Sequence, residues 1–381
     1  MYLKLLLIGI FLAVLYSFLS LPFVQKSLNL TYNLSKKEVL KLNFPLLHTS
    51  DFQSFAISKE TSRTSYGLYK LTLLPINGES PIITDNETAG MGGALYLGDV
   101  SPQSSPDLKK AAYISKDNQL KIISADGKSE IELPDNLLVS YISGWSPDSK
   151  KLIVYSQESS YIGGEGAATT PTPRPATKYL PSGFYLLDLE KGEGKLLAEL
   201  KGVDKWINNE KVLTVTSGEK DQFAIFNIKT GHLDTSTLKG LFDQYFGVQT
   251  NFNHDGKLWA LTLGNTGNDP SKPSSSLIVL AQFPKIEGIT IDSGRWADVQ
   301  MPKLSPNADN LIYIRAERNS GEDEQDAIYL NQNSINTRLT KGYPLMWTDN
   351  NNFIYSYNPN YPQLQQYYIF DISTKSSRRL I

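Results

Sequence analysis

The chain has 381 residues, 40% of them hydrophobic and 20% charged, with a net charge of −2. That is the balance of a folded body rather than a disordered segment, and it gives no global electrostatic support for a nucleic-acid partner. Cysteine is absent, which excludes disulfides, thiolate catalysis and cysteine-held zinc or iron–sulfur centres.

Residues 1–26 contain an uncharged run from Leu5 to Val24, about as long as the roughly 20 residues a helix needs to cross a bilayer core. No A-x-A-like cleavage site stands near Ser17 or Ser20, so an uncleaved transmembrane signal anchor is expected over a removable leader. Residues 27–44 follow as a basic stem or closing strand. Lys4 precedes the run, whereas Lys26, Lys36, Lys37 and Lys41 follow it. Lysine count alone keeps the body in the cytoplasm. Large folded domains often cross regardless of such counts, and an extracytoplasmic body, periplasmic or cell-surface, is expected. A cysteine-free body of this size leans towards a bacterial source.

From residue 45 onward a degenerate unit recurs. "WSPDSKKLIVYS" begins at Trp145, "WINNEKVLTVTS" at Trp206 and "WTDNNNFIYSY" at Trp347. Related stretches begin at Ser105, Phe252 and Leu304, and a faint one at His48. In each a polar turn precedes a short alternating apolar run. A second half follows, as in "LKIISADGKSEIELP" from Leu120 and "FAIFNIKTGHLDTSTL" from Phe223. Asp126-Gly127 and Thr230-Gly231 there signal hairpins. Four strands per unit, at spacings of about 41 to 61 residues, mean propeller blades. Seven markers predict an all-β, seven-bladed β-propeller over 45–381, or six blades if the His48 copy is not one. Pro147, Asp148 and Pro306 are read as turn formers. Trp145, Trp206 and Trp347 are read as wedges between blades. At Asn208-Asn209 and Asp349-Asn350 the Ser-Pro-Asp turn reads as decayed. Leu28, Leu30, Tyr32 and Leu34 alternate, which suits either an extra strand for the last blade or an extended stem.

The pattern W-S-P-D-x-K-x-[apolar]…Y-x-x-D resembles the WD40-like (PD40) repeat of TolB-type β-propellers, with related repeats in the propellers of prolyl oligopeptidase and dipeptidyl peptidase IV-type proteins. The resemblance implies the fold and an extracytoplasmic habit. It implies no catalytic residue.

Strands of a blade alternate direction, so every connection between second and third strands leaves the same face. Long insertions occupy that place at 157–182, 264–276, 317–326 and 357–366. Long loops on a rigid scaffold tend to carry function. Tyr161, Arg174, Glu322, Asp323, Tyr357 and Tyr361 are therefore the candidate partner-binding residues, with a protein or envelope polymer as partner. Tyr357, Tyr361 and Tyr367 suit either stacking on a partner or packing on the blade rim.

No G-x-S-x-G elbow, phosphate-binding glycine loop or H-E-x-x-H occurs. The acidic stretch Glu322, Asp323, Glu324 and Asp326 lacks the spacing of a calcium loop. No catalytic residue, metal ligand or cofactor is therefore assigned, with calcium the weak alternative. Of the three histidines, His48, His232 and His254, the last two read as exposed turn residues on the face opposite the insertions. A membrane-anchored, non-catalytic interaction scaffold leads the functional readings. Its rivals are a carboxylate- or calcium-dependent propeller hydrolase of lactonase or glycosidase type, and a structural cell-surface module.

Overall fold

The computed structural model describes residues 41–60, 69–88, 102–115, 119–157, 180–197, 200, 202–216, 222–238, 246–265, 275–295, 298–317, 325–357 and 365–381. The anchor run and Leu28–Ser35 lie outside them. Among the described residues no helix is long and apolar enough to cross a membrane.

Seven antiparallel sheets follow one another along the chain, which settles the blade number at seven. In blades two to seven the inner strands are Gln103–Ser104, Val139–Trp145, Gly202–Asn208, Phe246–Phe252, Val299–Leu304 and Tyr343–Trp347. Neighbouring members from blade three to blade seven touch around a central channel. Blade one carries Ser54–Glu60, Tyr69–Pro75 and Ile82–Thr88. Its first strand follows the turn at His48 and so corresponds to the second strand elsewhere. No described residue fills its inner place.

The tryptophans act as the sequence suggests. Trp145, Trp206 and Trp347 are buried, and Trp206 lies among Ile153 and Phe184 of blade three and Val212 and Phe226 of its own blade. Each indole N–H donates to an inner-strand carbonyl of the preceding blade: Trp145 to Gln103 O (3.0 Å), Trp206 to Gly144 O (2.9 Å) and Trp347 to Lys303 O (3.0 Å). A wedge of this kind buries a large ring while satisfying its one polar atom.

The Ser-Pro-Asp turn is held by its own side chains. Ser146 Oγ donates to Asp148 Oδ1 (2.6 Å) and accepts the Lys151 N–H (2.9 Å), while Asp148 Oδ1 accepts the Lys150 N–H (3.2 Å). Ser149 then takes a left-handed conformation, φ 60°. Leu108 (φ 59°) and Ala308 (φ 64°) repeat it. The turns judged decayed in the sequence are intact with other residues. Asn208 Oδ1 accepts from the N–H groups of Glu210 and Lys211, both at 3.0 Å. Asp349 Oδ1 does the same for Asn351 (2.7 Å) and Asn352 (2.8 Å).

These turns also link blade to blade. The Asp107 N–H donates to Ser149 Oγ (3.0 Å), Asp148 N–H to Asn209 Oδ1 (2.9 Å) and Asn307 N–H to Asn350 Oδ1 (3.0 Å). His254 N–H reaches Pro306 O at 3.4 Å. A belt of hydrogen bonds thus runs along the face opposite the insertions. His232 and His254 are exposed on that face, as expected, and His48 is exposed too.

The end of the stem forms a strand. Lys41–Asn43 adds a fifth strand to blade three, beside Glu193–Leu197. Leu42 and Phe44 are buried there, and the Phe44 N–H donates to Gly192 O (2.8 Å). Two glycines make the room. A Cβ on Gly192, whose φ is 65°, would stand 2.3 Å from Phe44 O, and one on Gly194 would stand 3.0 Å from the Leu42 side chain. The chain then reaches blade one past blade two, where Ser50 Oγ donates to Asp126 Oδ2 (3.0 Å) and Asp51 pairs with Lys109 (2.6 Å).

Blade seven takes all four of its strands from the C-terminal end, Tyr343–Arg379. It meets blade one by side-chain packing: Ile354 and Leu380 lie in one cluster with Ile57, Leu74 and Leu108. Arg378 also donates a hydrogen bond to Ile76 O.

Candidate functional site

The gaps Ser156 to Gly183, Asn265 to Ser275, Glu317 to Gln325 and Tyr357 to Gln366 each join a blade's second strand to its third. All four insertions therefore rise from the face opposite the turn belt. Tyr161, Arg174, Glu322, Asp323 and Tyr361 lie outside the described residues. Tyr357 ends the strand Asn352–Tyr357 and pairs with Gln366. It is half-buried and packs on the cluster of Ile312, Ile328, Trp347 and Phe353 between blades six and seven. Tyr367 likewise packs inward, 6.0 Å from Phe55 across the seam of blades seven and one, where burial pushes its phenol up.

The channel wall is built from bulged strands. Pairing between the first two strands is interrupted in blades three to seven, for example between Val203 and Lys205 and between Gln300 and Lys303. A bulge leaves backbone groups unpaired in the ladder, and they are taken up across the blade boundaries. Gln103 Nε2 donates to Ile142 O (2.8 Å) and Ser143 Oγ to Val203 O (3.1 Å). Lys205 Nζ donates to Thr250 O (2.9 Å). Gln249 Oε1 accepts the Met301 N–H and Asn251 Oδ1 the Leu304 N–H, both at 2.7 Å.

Two lysines stand on this wall. Lys205 directly precedes Trp206, and Lys303 directly precedes Leu304, which holds the same place in blade six. They occupy equivalent positions two blades apart, with Asn251 of blade five between them. Lys205 is exposed and Lys303 half-buried on the channel wall. Burial, with the positive charge of Lys205, pushes the Lys303 amine down to about 7. Burial also lowers Lys205, and Asp204 partly offsets this. Asp204 is itself engaged by the Thr250 hydroxyl at 3.0 Å. Sequence reasoning passed over both lysines. The available signal was a lysine directly before the turn marker, in "DKWINNE" and again in "PKLSPN".

Among the described residues no three His, Asp or Glu side chains converge as a metal site requires. Several carboxylates serve the framework instead. Glu130 and Asp292 accept from the phenols of Tyr113 (2.5 Å) and Tyr313 (2.7 Å), and burial together with these carboxylates raises both phenols. A cleft of about 450 Å3 lies at the seam on the belt face, lined by Ile76, Asp349, Asp371 and Arg378. Its acids cap their own turns: Asp371 Oδ1 accepts the N–H groups of Ser373 (2.8 Å) and Thr374 (3.3 Å).

Comparison with solved structures finds β-propellers. The chain is a β-propeller. It is similar to the β-propeller domain of the trilobed protease from Pyrococcus furiosus at 14% identity and TM-score 0.51, covering 88% of this chain and 98% of that one. It is similar to acylaminoacyl peptidase from Pyrococcus horikoshii at 15% identity and TM-score 0.53, covering 88% of this chain and 52% of that one. The propeller thus spans about half the peptidase's length. TolB from Acinetobacter baumannii matches at 14% identity and TM-score 0.45, over 86% of this chain and 79% of that one. Identities this low show the fold alone. No family model and no curated protein matches the chain.

Proposed function

We propose that this propeller is a non-catalytic binding scaffold, tethered to a membrane by residues 1–26 and facing the extracytoplasmic side, and that it binds a protein or envelope polymer through the insertion-bearing face. The observation that carries this reading is topological. Four insertions leave one face of the ring, while the other face is fastened by turn-to-turn hydrogen bonds. A face fixed by its own bonds offers few free donors to a partner, whereas loops on a rigid ring can adapt to one. The uncharged run from Leu5 to Val24 supports the tether. The solved neighbours include both peptidases and TolB, so the non-catalytic part rests on the framework roles of the carboxylates described above.

The test has two arms. Deleting residues 1–26 is expected to move the propeller from the membrane fraction to the soluble one, and retention in the membrane contradicts the tether. Shortening the insertions at 157–182 and 318–324 is expected to abolish binding to purified envelope fractions, while Asn209→Ala on the belt face leaves it intact. Equal loss from both faces, or hydrolysis of envelope polymers by the purified chain, overturns the scaffold reading.

A further inference from the structure

We infer that the channel holds a binding site for an oxyanion group, a carboxylate or a phosphate- or sulfate-type dianion, bridged by the amines of Lys205 and Lys303. Four observations carry this inference. Both lysines stand on inner strands, at equivalent positions directly before the turn marker, and so at one level of the ring. Among the described residues Lys303 Nζ has no hydrogen-bond or ion-pair partner. Among those residues the hydrogen-bond partner of Lys205 Nζ is a backbone carbonyl, Thr250 O at 2.9 Å. Between them, Asn251 uses its carbonyl oxygen on the Leu304 N–H at 2.7 Å, which leaves its amide N–H groups as further donors.

The charge of Lys205 bears on Lys303, and like charges on a partly desolvated wall are costly unless an anion neutralises them. Among the described residues the carboxylate beside Lys205 is Asp204, which also accepts the Thr250 hydroxyl at 3.0 Å. Charge-assisted hydrogen bonds from two ammonium groups and an amide match the acceptor set of a carboxylate or a tetrahedral oxyanion. The fold supports such a site mechanically. The bulges that break the inner ladders fix these strands to one another through side chains, so both amines hang from a rigid wall.

Lys303 sits near the midpoint of its titration at neutral pH. Lys205, of the same sign, and Asp204 beside it are the charges that bear on the pair. An anion binds the protonated pair, so affinity falls as pH rises through the Lys303 transition, approaching tenfold per pH unit above it.

The experiment is isothermal titration of the full-length chain, in chloride-free buffer, with sulfate and separately with malonate. Sulfate keeps its charge across the range, so its pH dependence reports on the protein. Saturable binding is expected at pH 6, weakened by about tenfold or more at pH 9. Lys205→Met and Lys303→Met should each lose about tenfold or more. Removing either of two like charges relieves their repulsion, so both variants are expected to fold, and Lys303→Gln serves as a second variant. In protein with 13C-labelled lysine, the Lys303 ε-carbon should titrate near neutrality and shift to higher pH when sulfate is added. Tighter sulfate binding assigns a phosphate- or sulfate-type ligand, and tighter malonate binding assigns a carboxylate. Binding of neither, or binding that both methionine variants retain, overturns the inference.

Discussion

Ser149 is where the belt can be weighed. The residue is 1% exposed, its backbone is left-handed at φ 60°, and its Oγ accepts the Asp107 N–H of the preceding blade at 3.0 Å. Ser149→Ala keeps the Cβ in a left-handed backbone and orphans that N–H. An orphaned donor costs about 1–3 kcal/mol, and the lower half of that range applies because Asp107 is only half-buried. Ser149→Gly loses the same bond but removes the Cβ. Left-handed backbone costs an L-residue about 1–2 kcal/mol, against which glycine gives up about 0.4–1 kcal/mol of unfolded-chain entropy. The net relief is about 0.5–1 kcal/mol. The expected order is Ser, then Gly, then Ala, spread over roughly 1–2 kcal/mol. Equilibrium denaturant unfolding followed by tryptophan fluorescence reads it, provided the three proteins share one slope. An alanine variant as stable as the parent means the belt bond contributes nothing. A glycine variant below alanine means the backbone is not strained there.

Gly256 stands at the same turn position in blade five, but a Cβ there would meet Ile207 O at 2.4 Å; Gly256→Ala should cost about 3 kcal/mol or more by the same unfolding assay. A loss below 1 kcal/mol would show that blade four moves aside. Gly194→Val should push Leu42 and Phe44 off blade three, seen as faster proteolysis between residues 44 and 50, and an unchanged digest contradicts this docking. Trp206→Phe removes the indole bond to Gly144 O and part of the wedge, at about 1–3 kcal/mol, whereas Trp206→Ala should reach about 3–5 kcal/mol. At high pH the unfolded chain releases the Tyr185 proton near 10, while burial holds the folded phenol up to about 12. The folded state binds more protons in that window. Stability therefore falls as pH rises through it, by about 1.4 kcal/mol per pH unit, and Tyr185→Phe should make the alkaline slope shallower.

The fold was legible because its signals are local. A Ser-Pro-Asp turn with an alternating run behind it, or Asp126-Gly127 between two apolar stretches, specifies its own geometry within a few residues. What failed to read was whatever crosses a blade boundary. Asn209 and Asn350 looked like erosion of a motif, yet each accepts the N–H of a turn about 40 to 60 residues earlier. Blade three takes the N-terminal strand because Gly192 and Gly194 leave room there, a vacancy that sequence shows only as a hairpin. The candidate site was read from loops, five of whose six residues lie outside the described structure, and Tyr357 proved to pack between blades six and seven. The channel lysines were missed because nothing in a linear string says that two positions about a hundred residues apart share one level of a ring.

The seam between blades seven and one differs from the other joints in how it holds. Blade one meets blade two through backbone and side-chain bonds, Ser54 N–H to Leu108 O at 3.0 Å and Gln53 Nε2 to Asp107 O at 2.9 Å. Across the seam the described contacts are an apolar cluster and the bond from Arg378 to Ile76 O. Apolar packing is non-directional, so it tolerates small shifts that a hydrogen-bonded turn does not. Lys41–Asn43 pairs with blade three, and the segment after it is tied to blade two through Asp51–Lys109 and Ser50–Asp126, which braces blades one to three. The ring is thus stiff on its N-terminal side, and among the described residues its last joint is closed by apolar packing and that one bond. Sub-global opening should begin there, with amides of Tyr343–Trp347 exchanging before those of Val139–Trp145.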